Sequence, residues 1–189
     1  MKNKLIAALG NDRLVHKDNM NYPQIHVVDL TERTKGRQGI EIFPEKPNDI
    51  DTLLIENPNL DVSATFFKPQ CFRDEYGVEP DNCEGVFYLT NSTDNTWVLF
   101  LEIKDCLPKN IGNYFDKAQK QIIKVVEIFR EKKIIAQNKN VYANISFPRR
   151  NKTDYYNQLI KNPKDFRDKY KIILRGTNRL IIKSSTTII

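Results

Sequence analysis

The sequence predicts an α/β domain in which a mixed central sheet is flanked by helices, and three observations carry this prediction. Two apolar runs, residues 86–89 and 97–101, flank a polar segment rich in Asn, Asp and Thr, as in a β-hairpin with a longer loop. An amphipathic pattern predicts a helix over residues 114–133, and residues 141–147 have strand composition. A strand, a helix and a strand in this order predict a right-handed crossover between parallel strands.

The second run of the hairpin is apolar on both faces, so we expect a central strand that is covered on both sides. It continues directly into Glu102, Ile103 and Lys104. Because alternate residues of a strand point the same way, Glu102 and Lys104 share a face with the apolar residues before them. Charges at the end of a buried strand lose hydration, and an ion pair need not recover that cost. The alternative is a simple ion pair on an exposed strand end.

The register of the hairpin predicts a pair of acidic side chains. If the six polar residues 91–96 close the hairpin, Glu84 comes close to Glu102, and in the register where paired residue numbers sum to 186 the two lie directly opposite each other on the same face. Two carboxylates about 5 Å apart at their Cβ atoms repel each other unless positive charge lies between them. Mg²⁺ is commonly held by one or two carboxylates together with water and substrate phosphate. We therefore expect Glu84 and Glu102 to bind Mg²⁺ or Mn²⁺, with Lys104 orienting or deprotonating an attacking water.

These residues resemble the PD-(D/E)xK nuclease superfamily, which implies a restriction-endonuclease-like fold. The matching pieces are Cys83-Glu84 at the start of one strand, residues 100–104 at the end of the next, and residues 118–122 on a helix. The match covers about residues 80–145. The sequence departs from the superfamily pattern in having Glu84 where Asp is usual.

The resemblance implies a role for each matching residue. Glu84 and Glu102 would bind the metal, Lys104 would assist the water, and Gln121 of the helix would support the site. An acid from a preceding helix is also often present in the superfamily, and Glu56 is the residue considered for it. The function implied is a metal-dependent nuclease that hydrolyses phosphodiester bonds, with DNA favoured. The alternative is a non-catalytic subunit that binds nucleic acid or protein on the same scaffold.

The charge of the chain is divided unevenly. Residues 1–108 carry 11 Lys and Arg against 18 Asp and Glu, whereas residues 109–189 carry 19 against 6. A basic half of this kind is typical of a protein that faces a polyanion, although a lysine-rich composition alone could also produce it. We expect Arg149, Arg150 and Lys152 to contact nucleic acid.

The length of 189 residues predicts a single domain. We place its nuclease-like core at about residues 60–148, with an N-terminal elaboration at 1–59 and a basic C-terminal extension at 149–189. The extension is predicted to hold a helix and a closing hairpin, whose strands are residues 171–175 and 179–183.

The N-terminal part gives weaker predictions. A short helix or arm followed by a polar connection is expected over residues 1–22. Residues 24–30 and 39–43 are predicted as neighbouring strands, and 62–67 as another. Residues 51–55 fit a short helix or a strand equally well.

Composition also gives predictions about membrane association and about the state of the cysteines. No apolar run approaches the ~20 residues of a membrane helix, so no membrane association is expected. Cys71, Cys83 and Cys106 lack the spacing of metal ligands and are expected to be free thiols in the cytoplasm. His16 and His26, the two histidines, are expected to be structural. A homodimer and a place in a larger complex are both left open.

Overall fold

A computed structural model of the chain describes residues 1–30, 39–48, 50–68, 71–72, 82–104, 110–148 and 162–189. Within these residues the fold is α/β, with two β-sheets and three α-helices, and this confirms the predicted class of mixed sheet flanked by helices. In chain order the elements are α1 (Lys2–Leu9), β1 (Leu14–Met20), β2 (Gln24–Leu30), β3 (Gly39–Phe43), β4 (Leu53–Glu56), β5 (Val62–Phe67), β6 (Gly85–Leu89), β7 (Val98–Ile103), α2 (Ile111–Glu131), β8 (Val141–Ser146), α3 (Pro163–Tyr170), β9 (Ile172–Arg175) and β10 (Arg179–Ile181).

The larger sheet has six described strands in the order β1-β5-β6-β7-β8-β9. The pairs from β1 to β7 are antiparallel, whereas β7, β8 and β9 run parallel to one another. The smaller sheet has the order β10-β4-β2-β3 and is also mixed, because β10 is parallel to β4 and the other two pairs are antiparallel.

The hairpin of β6 and β7 has the predicted register. Gly85 lies opposite Leu101 and Val86 lies opposite Phe100, which places Glu84 at the level of Glu102. Every residue of β7 is buried, as expected for a strand covered on both sides. One face of the larger sheet packs on α2, and the other face packs on the smaller sheet.

Helix α2 covers one face of the larger sheet and buries the predicted apolar stripe of Phe115, Ala118, Ile122, Val125, Val126 and Phe129. Its start differs from the prediction, which began the helix at residue 114. The helix begins at Ile111 instead, after Asn110, and Asn110 makes no capping hydrogen bond with its side chain. Ile111 is buried, so the additional turn adds an apolar side chain to the core, and this gain outweighs the lost cap.

The N-terminal region contains both a confirmed and a wrong prediction. The short helix is present as α1, but the expected polar connection is the strand β1, antiparallel to β5. Only Leu14 and Met20 of β1 are buried, because β1 stands at the end of the strand order and turns its polar side chains to solvent. Strands β2 and β3 pair as predicted, and β4 settles the open choice at residues 51–55 in favour of a strand.

The predicted C-terminal hairpin is wrong, because its two strands belong to different sheets. Strand β9 lies beside β8 in the larger sheet, and β10 lies beside β4 in the smaller one. Asn178 lies between these two strands, where its side chain donates to the carbonyl of Phe147 at 2.8 Å and accepts from the backbone N–H of Phe147 at 2.9 Å. It also accepts from the Ser146 hydroxyl at 2.8 Å. These bonds fix the connection at the end of β8 and direct the chain across to the other sheet.

Two further observations concern the environment of the chain. Among the residues that the structure describes, no helix is long and apolar enough to cross a membrane. Cys83 is a buried free thiol, as predicted, and Cys71 is buried as well, while Cys106 lies outside the described residues.

Candidate functional site

A cavity of about 750 Å³ lies beside the end of the hairpin that carries the acidic pair. Its lining includes Glu84, Lys104 and Gln121, which come from three separate parts of the chain. Residues 39–42 of β3 and Val15 of β1 also line it, so both sheets contribute to its walls. The cavity therefore brings together residues of the predicted site and residues that the sequence did not connect with it.

Glu102 has no exposed surface and does not line this cavity, but it contacts Lys104, which does. Its Oε2 accepts a hydrogen bond from the backbone N–H of Glu84 at 3.0 Å. Its Oε1 contacts the ammonium group of Lys104, whose side chain is 21% exposed. The backbone N–H of Lys104 donates to the carbonyl of Ser146 at 2.9 Å, so the parallel strand β8 fixes the position of the lysine. The carboxylate is thus held from both sides.

Backbone hydrogen bonds on two neighbouring strands position Glu84. Its N–H also donates to the carbonyl of Leu101 at 3.0 Å, and its carbonyl accepts from the N–H of Phe67 at 3.0 Å. The next residue is Gly85, where a Cβ atom would lie 2.6 Å from the carbonyl oxygen of Thr65. The absence of a side chain at Gly85 therefore allows β5 and β6 to approach closely beside the acidic residue.

The charge of Glu102 raises the proton affinity of Glu84 beyond what burial does. Burial and, next, the charge of Glu102 raise the pKa of Glu84 to about 8, against the opposing effect of Lys104. Burial raises the pKa of Glu102 to about 7, although the Lys104 ammonium and the Glu84 N–H both lower it. In the absence of a further cation the pair therefore retains a proton near neutral pH.

Lys104 is a cation in this environment. Burial lowers the pKa of its ammonium, but Glu102, Glu84 and Asp29 together raise it above the ordinary value. Protonated Lys104 can donate hydrogen bonds to a water or to a phosphate oxygen, but it cannot accept a proton. Of the two predicted roles, orientation of the water fits this charge state and deprotonation of the water does not.

Gln121 supplies an unused acceptor to the cavity. It is 5% exposed, and its Nε2 donates to the carbonyl of Asn82 at 3.1 Å, which fixes the orientation of the amide. Its Oε1 is buried and has no hydrogen-bond partner among the described residues. A buried acceptor of this kind costs free energy unless a water or a ligand satisfies it.

Asp29 is an acidic residue near the site that the sequence did not reveal as part of it. Its negative charge raises the pKa of Glu84, Glu102 and Lys104. It lies opposite Ile40 in the antiparallel pair of β2 and β3, so both residues share one side of the smaller sheet. Ile40 lines the cavity. A single charged residue within the apolar run 24–30 was the available signal, but nothing in the sequence placed that run beside the hairpin.

The predictions for the remaining residues have different outcomes. Glu56 does not supply the acid from a helix, because it lies on β4 and forms an ion pair with Arg179 at 2.5 Å. His16 and His26 share hydrogen bonds with Thr65 and Thr52, at 2.9 and 3.0 Å, outside the acidic pair. The predicted nucleic-acid contacts Arg149, Arg150 and Lys152 lie outside the described residues.

The donor set of Glu84 and Glu102 fits a hard divalent cation. Within the described ranges no three His, Cys, Asp or Glu side chains are close enough to hold a metal together. Mg²⁺ needs fewer protein ligands than that, because water and substrate phosphate complete its coordination. Two adjacent carboxylates with raised pKa values are a site at which such a cation would replace a proton.

Comparisons with protein-family models, with curated proteins and with solved structures find no match to this chain. The resemblance to the PD-(D/E)xK superfamily accordingly stays a prediction. Function is inferred below from the residues of the cavity and their geometry.

Proposed function

We propose that the chain is a metal-dependent nuclease of the PD-(D/E)xK type, with a restriction-endonuclease-like core, that hydrolyses phosphodiester bonds in nucleic acid, with DNA favoured. One observation carries the proposal. Glu84, Lys104 and Gln121, which the resemblance names from separate stretches of the sequence, line one cavity, and Glu102 contacts both Lys104 and the backbone N–H of Glu84. A chance match to a short motif gives no reason for its helix glutamine to reach the same cavity as its first acid and its lysine.

The energetic cost of the acidic pair gives further support. A buried lysine is compensated by one carboxylate, so a purely structural ion pair has no need of Glu84 beside Glu102. Burial raises the pKa of both carboxyl groups and the charge of Glu102 raises that of Glu84 further, which means that the folded chain is destabilised when both are ionised. Strongly perturbed titratable groups beside a cavity are characteristic of functional sites.

The residues of the cavity suggest how they would act. Glu84 and Glu102 would hold Mg²⁺ or Mn²⁺, which when bound supplies charge neutralisation to the phosphate and a more acidic water. Lys104 would donate a hydrogen bond that orients the attacking water or a phosphate oxygen. The free Oε1 of Gln121 would accept a hydrogen bond from that water. The basic residues Arg149, Arg150 and Lys152 remain predicted contacts for the nucleic-acid backbone.

The alternative function is a non-catalytic subunit that binds nucleic acid or protein on the same scaffold. One observation favours it: the Lys104 ammonium already contacts the Glu102 carboxylate, as in an ion pair that serves the fold alone. If this alternative holds, Lys104 stabilises the chain and has no part in chemistry.

Replacement of Lys104 separates the two functions. We expect Lys104→Ala to lower Mg²⁺-dependent cleavage about 10²- to 10³-fold, the range typical of a lost hydrogen-bond donor that stabilises charge in the transition state. The melting temperature should fall by less than about 4 °C, because Glu102 can take up a proton instead of remaining an unpaired charge. The substrates should be duplex, single-stranded and branched DNA, and RNA. Lys124→Ala, on the exposed side of α2, is the control and should leave both quantities unchanged.

The opposite pattern would exclude the nuclease. Removal of one partner from a buried structural pair costs about 3–5 kcal/mol, so the subunit alternative predicts a large fall in melting temperature. Wild-type protein that cuts none of these substrates with Mg²⁺ or Mn²⁺, together with such a fall for Lys104→Ala, would leave only the non-catalytic function.

A further inference from the structure

The cavity lies between two strands that each stand at the end of their sheet's described order. Strand β1, at the end of the larger sheet, contributes Val15 and Lys17. Strand β3, at the end of the smaller sheet, contributes residues 39–42. The space beside the acidic pair is therefore a cleft with one wall from each sheet, and a substrate must enter between these walls to reach Glu84.

Part of the cleft wall is apolar. Val15 is 40% exposed, and Ile40 and Ile42 of β3 are only partly buried, although all three line the cleft. Aliphatic surface that stays in contact with water is favourably covered by an apolar partner. The face of an unpaired nucleobase supplies such a surface, as in proteins that bind single strands. In a duplex the base faces are stacked on one another and are not available to this wall.

The lysines of the cleft suit a phosphate backbone. Lys17 and Lys68 line the cleft on the side of the larger sheet, and Lys104 lies beside the acidic pair. The ammonium of Lys68 also donates to the carbonyl of Asp12 at 2.7 Å, which holds it at the rim. Glu41 and Glu84 line the cleft as well, so the backbone would follow the side of Lys17 and Lys68.

The volume of the cleft fits unpaired nucleotides. At about 750 Å³ it lies within the range of roughly 300–1,000 Å³ that holds a small molecule. A B-form duplex is far larger, since its major groove alone is about 12 Å wide. One or a few unpaired nucleotides fit this space.

We infer that the cleft between β1 and β3 binds unpaired nucleotides, so that the substrate of the proposed nuclease is single-stranded nucleic acid. This inference rests on the proposed function, which supplies the reason for a phosphate to approach Glu84 and Glu102. The bases pack on the apolar wall of Val15, Ile40 and Ile42, and the phosphates follow Lys17 and Lys68.

Binding can be measured apart from cleavage with the Glu84→Gln variant in EDTA, which removes one proposed metal ligand and the metal itself. Fluorescence anisotropy would compare a labelled oligonucleotide of about 12 nucleotides with a blunt hairpin duplex of the same sequence. We expect the single strand to bind at least about tenfold more tightly than the duplex. The melting temperature of the variant verifies that it is folded, and wild-type protein in EDTA provides a second measurement.

Substitutions in the cleft locate the binding. Val15→Asp and Lys17→Glu should each lower the affinity for the single strand about tenfold. Tyr22→Asp and Lys124→Glu make matching changes of charge at exposed positions outside the cleft and should leave the affinity nearly unchanged. The four variants should melt within a few degrees of the parent protein, because surface substitutions usually cost under about 0.5 kcal/mol.

The outcomes separate this inference from the proposed function. Equal or tighter binding of the duplex, no binding of either probe, or binding that ignores both cleft variants would overturn the inference. Single-strand binding that depends on Val15 and Lys17, without cleavage by wild-type protein in Mg²⁺ or Mn²⁺, would support it while removing the nuclease proposal.

Discussion

At the scale of single residues, Glu102 is a fully buried carboxylate whose charge is compensated only in part. Lys104 contacts one of its oxygens and the N–H of Glu84 donates to the other, yet burial still raises its pKa. The carboxylate of Glu84, placed beside it, raises the cost of ionising the pair. Two acids in this relation weaken the metal-free fold at neutral pH, which is the expected consequence of a site built to bind a cation.

This cost predicts a pH dependence of stability. The pKa values of both carboxyl groups are raised in the folded chain, so the folded state keeps protons that the unfolded state loses above about pH 4.5. The contribution of the two protonated carboxyl groups to stability is complete below about pH 4.5 and is lost as the pH rises through about 7–8. In EDTA we expect the free energy of unfolding to fall between about pH 4.5 and pH 8, by up to about 1.4 kcal/mol per pH unit for each proton retained, and the melting temperature to fall with it.

Glu84→Gln tests the origin of that pH dependence. Glutamine resembles the protonated acid, so the variant should be more stable than wild type at pH 8 and should show a shallower fall between pH 5 and pH 8.5. Thermal unfolding followed by circular dichroism in EDTA measures both. Glu127→Gln, on the exposed face of α2, should keep the wild-type slope. Parallel curves for wild type and Glu84→Gln would mean that the acidic pair does not control the slope.

The relative position of Glu84 and Glu102 could be predicted because it depends on the local geometry of the hairpin. Tyr88 lies opposite Val98 in the hairpin, and this register alone brings Glu84 opposite Glu102. Asp29 could not be placed in the same way, since its position near the pair depends on how the smaller sheet packs against the larger one. The unpartnered Oε1 of Gln121 is likewise a property of the packed structure, although the resemblance pointed to that residue.

At the scale of elements, the close approach of β5 and β6 positions Glu84. We expect Gly85→Ala to destabilise the protein by about 1–3 kcal/mol, because the new Cβ would lie 2.6 Å from the carbonyl oxygen of Thr65 and close to Phe66. Gly112→Ala is the matched control. Nothing lies within 4 Å of a Cβ there, and alanine favours the helix, so its stability should be unchanged or slightly higher.

Chemical denaturation of both glycine variants measures this effect. If Gly85→Ala unfolds at the same denaturant concentration as wild type, the two strands can separate at no cost and the backbone of Glu84 is not held as described.

Elements with a strong local pattern were predicted, and elements that depend on distant contacts were not. The hairpin, the long helix and β8 each have a local pattern of apolar residues, and each is present in the structure. Strand β1 was missed because most of its side chains are polar, and its strand conformation depends on pairing with β5. The C-terminal hairpin was wrong because Asn178 binds the end of β8, a contact between residues about 30 apart in sequence.

At the scale of the whole molecule, the packing of two sheets creates the proposed site. The larger sheet carries the acidic pair and Lys104, and α2 adds Gln121. The smaller sheet adds the wall of β3 and the charge of Asp29. The sequence predicted the first group through the hairpin and the resemblance. It could not predict the second group, because no local sequence pattern indicates which faces of the two sheets pack together.

Calorimetric titration with Mn²⁺ tests most directly whether the acidic pair is a cation site. We expect one site in wild-type protein and an affinity at least about tenfold lower in Glu102→Gln, while Glu127→Gln binds as wild type does. Because the pair retains a proton near neutral pH, binding should also release protons, and the measured heat should change with the ionisation enthalpy of the buffer. The titration is repeated with a single-stranded oligonucleotide, whose phosphate can complete the coordination. No binding at millimolar Mn²⁺ in either titration, or equal binding by wild type and Glu102→Gln, would contradict the metal site.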